Sequence, residues 1–380
     1  MKICYLGGGF HTIRWLSYFV KKGHKVSLIS IDTPEIEGVK VYNLKEKVIS
    51  HYMQLGHSSF IAKVHEIRRI IQAIQPDLLH AHFIPPYGYW AAMTDFHPFV
   101  LTPWRSDLFL NPYASEYNLE MAKFTLEKAD LITVDSEALG SKAIFFGAQR
   151  DKIMNIQWGV NLSQFNPKIA SDIRDKFCLG DSKVVISMRN FNPKYNLESL
   201  IKAIPAILKK VPSAKFLFLG EGDFKERLSE MIESLGLTKF VYLIGKVTHM
   251  DVPQYLVASD IFVSIPVTDA TSLSLLEAMA CGVAPVVSDL PSNREWITNG
   301  YNGYLVPVKL HIKGPMWEAT TDIIFLINHI VELIEKDDLR KDFARRNFDI
   351  VSERADHYKH AEHMESLYKI LIEKRRKNEY

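Results

Sequence analysis

The distribution of apolar and polar positions divides the chain into short runs of two kinds. Short runs of mostly apolar residues, rich in Val, Ile, Leu and Phe, recur along the sequence and predict buried β-strands. Between them lie amphipathic stretches with apolar positions at helical spacing, for example residues 13–22, 61–74 and 116–128. Regular alternation of strand and helix is typical of α/β proteins in which helices cover both faces of a mostly parallel sheet.

The predicted strands fall into two series, which indicates two similar α/β domains. The first series comprises residues 2–6, 25–30, 77–80, 131–134 and 153–157. The second comprises residues 184–188, 215–219, 240–244, 261–265 and 284–287. A turn-rich stretch without periodicity, residues 158–167, separates the two series and is typical of a linker.

These patterns place a first domain at residues 1–160 and a second at residues 168–355, each within the usual size of a domain. A cleft between two such domains is the expected place for a ligand. The remaining residues, 356–380, are predicted to form a helix, with packing against the first domain as one option. We interpret its basic end, residues 374–377, as a solvated helix terminus, and contact with an anionic membrane surface is the alternative.

Composition narrows the class of protein without identifying it. The chain has 380 residues, of which 47% are hydrophobic and 24% charged, as in soluble globular proteins with more than one core. Its 46 Lys and Arg against 44 Asp and Glu leave a net charge of +2, so we expect no nucleic-acid partner. The three cysteines fit no metal spacing, and no apolar run indicates a membrane span or a signal peptide. We therefore expect a cytoplasmic protein.

Candidate chemistry concentrates after the strand predicted at residues 261–265. Asp269 and Glu277 lie eight positions apart, in a polar turn and in the helix that follows it. Glu277 suits two vicinal hydroxyls, as on a ribose, but its spacing from Ser274 also fits a capping box. Asp269 suits a place beside developing positive charge, or is simply a turn residue. The residues alone leave both alternatives open.

Two cations follow another strand of the same series. Arg189 and Lys194 lie in the loop after residues 184–188, ahead of a helix that Asn196 is suited to cap. A forked guanidinium and an ammonium facing a helix amino end suit a diphosphate. Two ordinary solvated cations are the alternative.

Backbone groups of this series also suit a phosphate or a base. Gly220 and Gly222 follow the strand at residues 215–219 and allow a flat base or a phosphate to come close, or else form a tight turn. The segment Thr271-Ser272-Leu273 opens the helix that carries Glu277, and its free N–H groups suit a phosphate.

The first series carries weaker signals after its strands. Small residues from Gly7 to Gly9, followed by His11, allow a ligand or another domain to approach. His80 and His82 have the spacing of a metal pair, but no third ligand is suitably placed, so a hydrogen bond from His82 to a ligand is preferred. In the loop after residue 102, Arg105 and Asp107 either face a ligand or pair with each other.

Taken in order along the chain, these motifs resemble those of the retaining nucleotide-sugar glycosyltransferases of the GT-B group, glycosyltransferase family 4 or group 1 type. The resemblance is strongest over residues 183–308, where Glu277-Ala-Met-Ala-Cys-Gly282 and Asn299-Gly-Tyr-Asn-Gly-Tyr-Leu-Val306 also match. It implies an α/β protein with the GT-B fold, in which two Rossmann-like parallel-sheet domains face a central cleft. The first domain would take the acceptor and the second the nucleotide-sugar donor.

The resemblance also gives each candidate residue a role. Arg189 and Lys194 would hold the diphosphate, Glu277 the ribose, and Asp269 and His82 would be the catalytic residues beside the donor sugar. The implied donor-binding residues are Arg189, Lys194, Gly220, Gly222, Thr271, Ser272, Leu273 and Glu277, and the acceptor-side residues are Gly8, Gly9, His11, Arg105 and Asp107.

Two positions depart from the family pattern. Asp269 stands where the family usually has Glu, which keeps the charge and shortens the reach by one methylene. Arg105 stands where many relatives have Gly. Both departures concern specificity more than fold.

The implied reaction moves a sugar from a UDP- or GDP-type donor to a hydroxyl of a carbohydrate or lipid-linked acceptor, with retention by front-face attack. No Asp-x-Asp motif lies at a plausible position, so Arg189, Lys194 and a helix amino end would replace a divalent ion. We expect no metal and no cofactor. Cell-envelope polysaccharide or glycolipid synthesis is the implied setting, with peripheral contact at the inner membrane face as an option and the oligomeric state left open.

Three alternatives stay open. Gly7 and Gly9 after a strand, with Asp32 at the end of the next, suit a nicotinamide-dependent oxidoreductase, although Thr12 replaces the third glycine of that motif. A nucleotide-sugar epimerase or phosphorylase and a nonenzymatic sugar-binding protein are the others.

Overall fold

A computed structural model describes residues 1–44, 57–313 and 316–377. The chain forms two compact units. The first contains Met1–Trp158 together with the C-terminal segment from Tyr358, and the second is Gly159–His357.

Strands and helices alternate along most of the chain. The strands are β1 (Lys2–Leu6), β2 (Lys25–Ser30), β3 (Val39–Asn43), β4 (Leu78–His82), β5 (Phe99–Thr102), β6 (Leu131–Val134), β7 (Ile153–Asn155), β8 (Val184–Met188), β9 (Lys215–Leu219), β10 (Val241–Gly245), β11 (Ile261–Ser264), β12 (Ala284–Ser288), β13 (Tyr304–Val306), β14 (Val308–Lys313) and β15 (Met316–Thr321). The helices are α1 (Gly9–Lys21), α2 (His57–Ile74), α3 (Tyr89–Thr94), α4 (Arg105–Phe109), α5 (Glu116–Lys128), α6 (Glu137–Phe145), α7 (Ile173–Lys176), α8 (Leu197–Lys210), α9 (Lys225–Ser234), α10 (Val252–Val257), α11 (Leu273–Ala280), α12 (Pro291–Arg294), α13 (Ile323–Glu335), α14 (Asp337–Arg354) and α15 (His357–Arg376).

The first unit is built on a parallel sheet of seven strands, in the order β3-β2-β1-β4-β5-β6-β7. Both faces of this sheet are buried. Successive residues of β1 point to opposite faces and pack into two different apolar clusters. Cys4 and Leu6 belong to one apolar cluster, whereas Ile3 and Tyr5 belong to the other. Burial on both faces explains why this strand is apolar throughout instead of alternating.

The C-terminal helix α15 packs into the core of the first unit. Its Ala361, Met364 and Tyr368 are buried with residues of β1. The Tyr368 hydroxyl lies 2.9 Å from the Tyr5 hydroxyl and is also hydrogen-bonded to His80 Nδ1. A polar contact within the apolar cluster therefore fixes the position of this helix on the sheet.

The second unit contains a parallel sheet of six strands, in the order β10-β9-β8-β11-β12-β13, and a separate antiparallel pair, β14 and β15. Adjacent residues of β8 again enter different cores: Val185 lies in one cluster, and Val184 and Ile186 in the other. Two parallel-sheet α/β units confirm the fold class predicted from the sequence.

Every strand predicted from the apolar pattern is present, with ends no more than two residues from those predicted. The pattern missed β3, β5, β13 and the pair β14 and β15. Strand β3 reads Val-Lys-Val-Tyr-Asn and lies half-exposed at the sheet edge, so its apolar signal is weak. Strand β5 is a fully buried apolar run of four residues, which periodicity alone cannot distinguish from a buried helix segment.

In the ranges that the structure covers, no helix is both long and apolar enough to span a bilayer.

The chain passes from the first unit to the second at Gly159 and returns after His357. The two passages lie side by side, because Val160 N–H donates to Ala355 O at 2.6 Å and His357 N–H donates to Val160 O at 3.0 Å. Gly159 has a φ of +66°, and a Cβ placed on it would lie 2.6 Å from His357 Cα. Glycine is required here by both the backbone conformation and the space.

We expect Gly159→Ala to destabilise the second unit by about 2–5 kcal/mol, since left-handed strain adds to displacement of the 355–357 backbone. The matched control is Gly180→Ala, where φ is +50° but no atom lies within 4 Å of the added Cβ. This control should cost only about 1–2 kcal/mol. Thermal unfolding by scanning calorimetry measures both variants, and equal losses would contradict the role of the crowded contact.

Candidate functional site

The second unit brings its candidate residues together where the strand order reverses. Strands β8, β9 and β10 follow one another in one direction from the centre of the sheet, and β11, β12 and β13 in the other. The carboxyl ends of β8 and β11 therefore lie next to each other at a point that leaves a crevice in doubly wound sheets. Arg189 follows β8, and the loop that carries Asp269 follows β11.

The Arg189 guanidinium binds three side chains of the neighbouring strand and loop. Its Nε donates to Ser264 Oγ at 2.7 Å, and its Nη2 donates to Asp269 Oδ2 at 2.6 Å and to Ser272 Oγ at 2.7 Å. Arg189 and Asp269 are largely buried, with 11% and 17% of their side chains exposed. Charge-assisted bonds at these distances hold the ends of β8 and β11 in a fixed arrangement.

Helix α11 begins at Leu273, and Ser272 is its N-cap residue. The Ser272 hydroxyl accepts a hydrogen bond from Leu275 N–H at 3.4 Å as well as the bond from Arg189. The preceding Thr271 accepts from Trp296 Nε1 at 3.2 Å. Because the helix starts before Ser274, the capping-box interpretation of Glu277 is wrong.

The Glu277 side chain instead contacts His249. Glu277 is buried in α11, and its Oε1 lies 2.6 Å from His249 Nε2. His249 lies in the turn between β10 and α10, with its ring against Phe165 at 5.0 Å between centroids. His249 gives no signal in the sequence, because it lies 28 positions from Glu277 and the turn around it has no apolar period.

Lys194 lies in the short turn Pro193–Tyr195 that follows β8. Its carbonyl accepts a hydrogen bond from Val267 N–H at 3.0 Å, which joins this turn to the loop after β11. Its Nζ lies 5.0 Å from the centroid of the Tyr195 ring. Within the described ranges, no carboxylate lies at ion-pair distance from Lys194, so this positive charge is not compensated as that of Arg189 is.

Gly220 and Gly222 allow two loops of the chain to touch. A Cβ on Gly220 would lie 2.1 Å from Arg189 O, and one on Gly222 would lie 2.3 Å from Phe191 O. Backbone hydrogen bonds accompany this approach, from Arg189 N–H to Leu219 O at 3.0 Å and from Phe191 N–H to Glu221 O at 2.9 Å. The glycines are thus needed to position the loop that carries Arg189, whatever they do for a ligand.

The first unit has its own reversal of strand order, between β1 and β4. Gly8 follows β1, and Gly9 opens α1 with a φ of +76°. His82 is the last residue of β4 and is fully buried. Its Nδ1 lies 2.9 Å from Thr12 Oγ1, and burial, with a smaller effect of His11, lowers the pKa of His82 to about 3. The imidazole is therefore neutral at physiological pH.

His11 is part of an aromatic group beside His82. Its ring lies 4.8 Å from Trp158 and 5.8 Å from Trp104, and the His82 ring lies 5.5 Å from Trp158, all between centroids. The acceptor-side candidate His11 is thus close to the predicted catalytic histidine.

Unlike in His82, both ring nitrogens of His80 are hydrogen-bonded to side chains. Its Nε2 lies 2.7 Å from Thr102 Oγ1, and its Nδ1 is hydrogen-bonded to the Tyr368 hydroxyl. Burial, together with the neighbouring His82, holds the pKa of His80 well below its usual value. No cluster of potential metal ligands is found among the described residues.

Asp107 and Arg105 lie in α4 but do not pair with each other. Asp107 is buried, and its Oδ2 accepts hydrogen bonds from Trp104 N–H at 2.7 Å and Ile84 N–H at 2.8 Å. Desolvation raises the pKa of Asp107 well above its usual range, against the opposing effect of these two bonds. Arg105 is the half-buried first residue of the helix. Asp107 therefore stabilises the loop at the start of α4.

The chain matches two family models, one in each unit. Residues 2–136 match the model described as glycosyl transferase 4-like, and residues 170–314 match the model described as glycosyl transferases group 1. These matches, together with the two-unit parallel-sheet fold, support the assignment of the chain to the glycosyltransferases with the GT-B fold.

Similar proteins agree with this class. An uncharacterised glycosyltransferase of Methanocaldococcus jannaschii is 26% identical over 306 residues, which cover 76% of this chain and 77% of that protein. The N-acetyl-alpha-D-glucosaminyl L-malate synthase of Bacillus anthracis is 21% identical over 365 residues, covering 92% of this chain and 90% of the relative.

Solved structures show the same fold at low identity. Anabaena HepE in complex with UDP and glucose has a TM-score of 0.78 and 20% identity, covering 98% of this chain and 100% of its own. Sucrose-phosphate synthase from Thermosynechococcus elongatus has a TM-score of 0.82 and 18% identity, covering 98% and 99%. The predicted GT-B fold is confirmed.

We expect His249→Ala to lower the free energy of unfolding by about 1–3 kcal/mol, because the buried Glu277 carboxylate loses a hydrogen-bond donor. His249→Gln keeps a side-chain N–H and should recover part of this loss. Urea denaturation measures both variants, alone and combined with Glu277→Gln. If His249→Ala cost as much in the Glu277→Gln background as in the original chain, the two residues would not be coupled.

Proposed function

We propose that this protein is a retaining glycosyltransferase that moves a sugar from a nucleoside diphosphate sugar to a hydroxyl of a carbohydrate or lipid-linked acceptor. The observation that carries the proposal is the cationic arrangement at the β8–β11 reversal. Arg189 is held there by Asp269 and Ser272, and the uncompensated ammonium of Lys194 lies on the adjoining turn. Two cations at the carboxyl edge of a parallel sheet suit the negative charge of a diphosphate.

The donor would bind to the second unit, in the domain that we place at residues 168–355. Lys194, Arg189 and the N–H groups of Thr271, Ser272 and Leu273 at the start of α11 take the diphosphate, and the loop of Gly220 and Gly222 borders the base. Glu277 takes the ribose hydroxyls. Because His249 occupies Oε1, the second carboxylate oxygen is the one left for this contact. Complexes of Anabaena HepE with UDP support a uridine donor as the first to test.

Transfer requires charge separation between the sugar and its leaving group. Breaking the bond to the diphosphate builds negative charge on the phosphate oxygens, which the cations stabilise, and positive charge on the sugar ring, which Asp269 stabilises. In front-face attack the acceptor hydroxyl bonds to the anomeric carbon on the side the phosphate leaves, and the phosphate takes the hydroxyl proton. The configuration at that carbon is retained, and His82 contributes to binding of the sugar.

The acceptor would be bound by the first unit. Gly8, Gly9, His11 and Arg105 are the proposed contacts, and Asp107 supports the loop that presents Arg105. The setting we propose is cell-envelope polysaccharide or glycolipid synthesis in the cytoplasm, with peripheral contact at the inner face of the membrane as an option. The similar proteins give no support to an oxidoreductase, an epimerase or a nonenzymatic sugar-binding protein.

A panel of UDP- and GDP-sugars, assayed for thermal stabilisation and donor hydrolysis, should identify a binding donor. With the nucleoside diphosphate so found, Lys194→Ala should weaken binding by about 10–100-fold, because a charge-assisted contact to phosphate is lost. The matched control is Lys202→Ala, which removes an exposed lysine of α8 and should leave affinity unchanged. Unaltered calorimetric affinity of Lys194→Ala would rule out this lysine as a phosphate ligand, and no binding by any nucleotide sugar would overturn the proposed function.

We also expect transfer to proceed without a divalent ion, since protein cations face the diphosphate. Activity should be unchanged after treatment with excess EDTA and gel filtration into metal-free buffer. Loss of activity that Mg²⁺ or Mn²⁺ restores would show that Arg189 and Lys194 do not replace a metal.

A further inference from the structure

His82 carries a buried polar atom with no protein partner. The residue is fully buried, and its Nε2 has no hydrogen-bond partner in the part of the chain that the structure describes. Leaving a buried polar atom unpaired is unfavourable, so such an atom in a native protein calls for an explanation. The contrast with His80, on the same strand, is informative because both ring nitrogens of His80 are hydrogen-bonded to hydroxyls.

The other nitrogen of His82 is held by a hydroxyl whose own proton is already used. Thr12 Oγ1 donates to Gly8 O at 2.9 Å, back along the first turn of α1, and lies 2.9 Å from His82 Nδ1. A backbone carbonyl can only accept, and a threonine hydroxyl has only one hydrogen to donate. The remaining interaction with His82 must therefore be one in which Thr12 accepts.

Glycine at position 7 makes this contact possible. A Cβ on Gly7 would lie 3.1 Å from Thr12 Oγ1 and 3.3 Å from His82 Cβ. A side chain at position 7 would thus press on both partners of the hydrogen bond.

We propose that Thr12 is a positioning residue that fixes His82 as the Nδ1–H tautomer, so that the Nε2 lone pair accepts a hydrogen bond from an O–H or N–H group of the substrate. A neutral imidazole with a bare lone pair at this point repels a phosphate or carboxylate oxygen and cannot act as a proton donor. The low pKa of His82 agrees with this neutral form. That the O–H group belongs to the donor sugar rests on the proposed function, whereas the tautomer does not.

Nitrogen NMR of the full-length protein labelled with [¹⁵N]histidine tests the tautomer without any ligand. Two-bond ¹H–¹⁵N correlations distinguish a protonated from a bare ring nitrogen, and the His82 signals are assigned as those absent from His82→Gln. We expect a protonated Nδ1 and a bare Nε2. A protonated Nε2 in the original chain would overturn the proposal, even if no sugar transfer is ever found.

Two substitutions of Thr12 separate positioning from packing. Thr12→Val keeps the shape and removes the acceptor, so the fixed tautomer should be lost and kcat for sugar transfer should fall about tenfold, with the Kd for the nucleoside diphosphate unchanged. Thr12→Ser keeps the hydroxyl and should restore both the NMR signature and kcat. If Thr12→Val does not fold, the NMR spectrum of Thr12→Ser still tests the proposal. A Ser variant in which Nδ1 of His82 is not protonated would contradict the role of the hydroxyl.

Donor sugars with fluorine in place of single hydroxyls test the ligand. At one ring position, fluorine cannot donate to Nε2, so it should cost about tenfold more in rate in the original chain than in His82→Leu, which has no acceptor. Independent, additive losses at every ring position would show that His82 accepts no hydrogen bond from the sugar.

Discussion

In a parallel sheet, each strand must be joined to the next by a crossover, and where the strand order reverses, neighbouring crossovers leave in opposite directions. Both units of this protein contain one such reversal, between β1 and β4 and between β8 and β11. The constraint favours these points for a ligand site, because the loops diverge there and leave a crevice at the carboxyl ends of the strands. His82 and Arg189 each lie at one of these points.

At the second reversal, electrostatics and backbone packing act together. Arg189 is fixed from one side by Asp269 and two serines, and from the other by the backbone of the loop that begins at Gly220. Its charge is therefore partly compensated inside the protein, whereas no carboxylate among the described residues lies at ion-pair distance from Lys194. An anion that binds here would contact a guanidinium held in place by the protein and the ammonium of Lys194. The first supplies a fixed geometry and the second supplies charge.

His80 and His82 show how environment decides the use of a residue type. They lie two positions apart on β4, on the same face of the strand, and burial lowers the pKa of both. Both ring nitrogens of His80 are hydrogen-bonded, one to Tyr368 of the C-terminal helix and the other to Thr102, so its role is structural. His82 has one nitrogen held by Thr12 and one left unpaired, which is the arrangement expected of a group that contacts a ligand.

The sequence by itself determined the two α/β units, most of their strands and the residue types of the site. Buried strands must be apolar, and motifs such as Arg189 with Lys194 lie within a few positions of each other. Only the tertiary structure decided which of these residues meet. The pairing of Arg189 with Asp269 spans 80 positions, that of Glu277 with His249 spans 28, and that of Thr12 with His82 spans 70. Such contacts follow from strand order and loop packing. Neither produces a repeating pattern of apolar residues that could be recognised in the sequence.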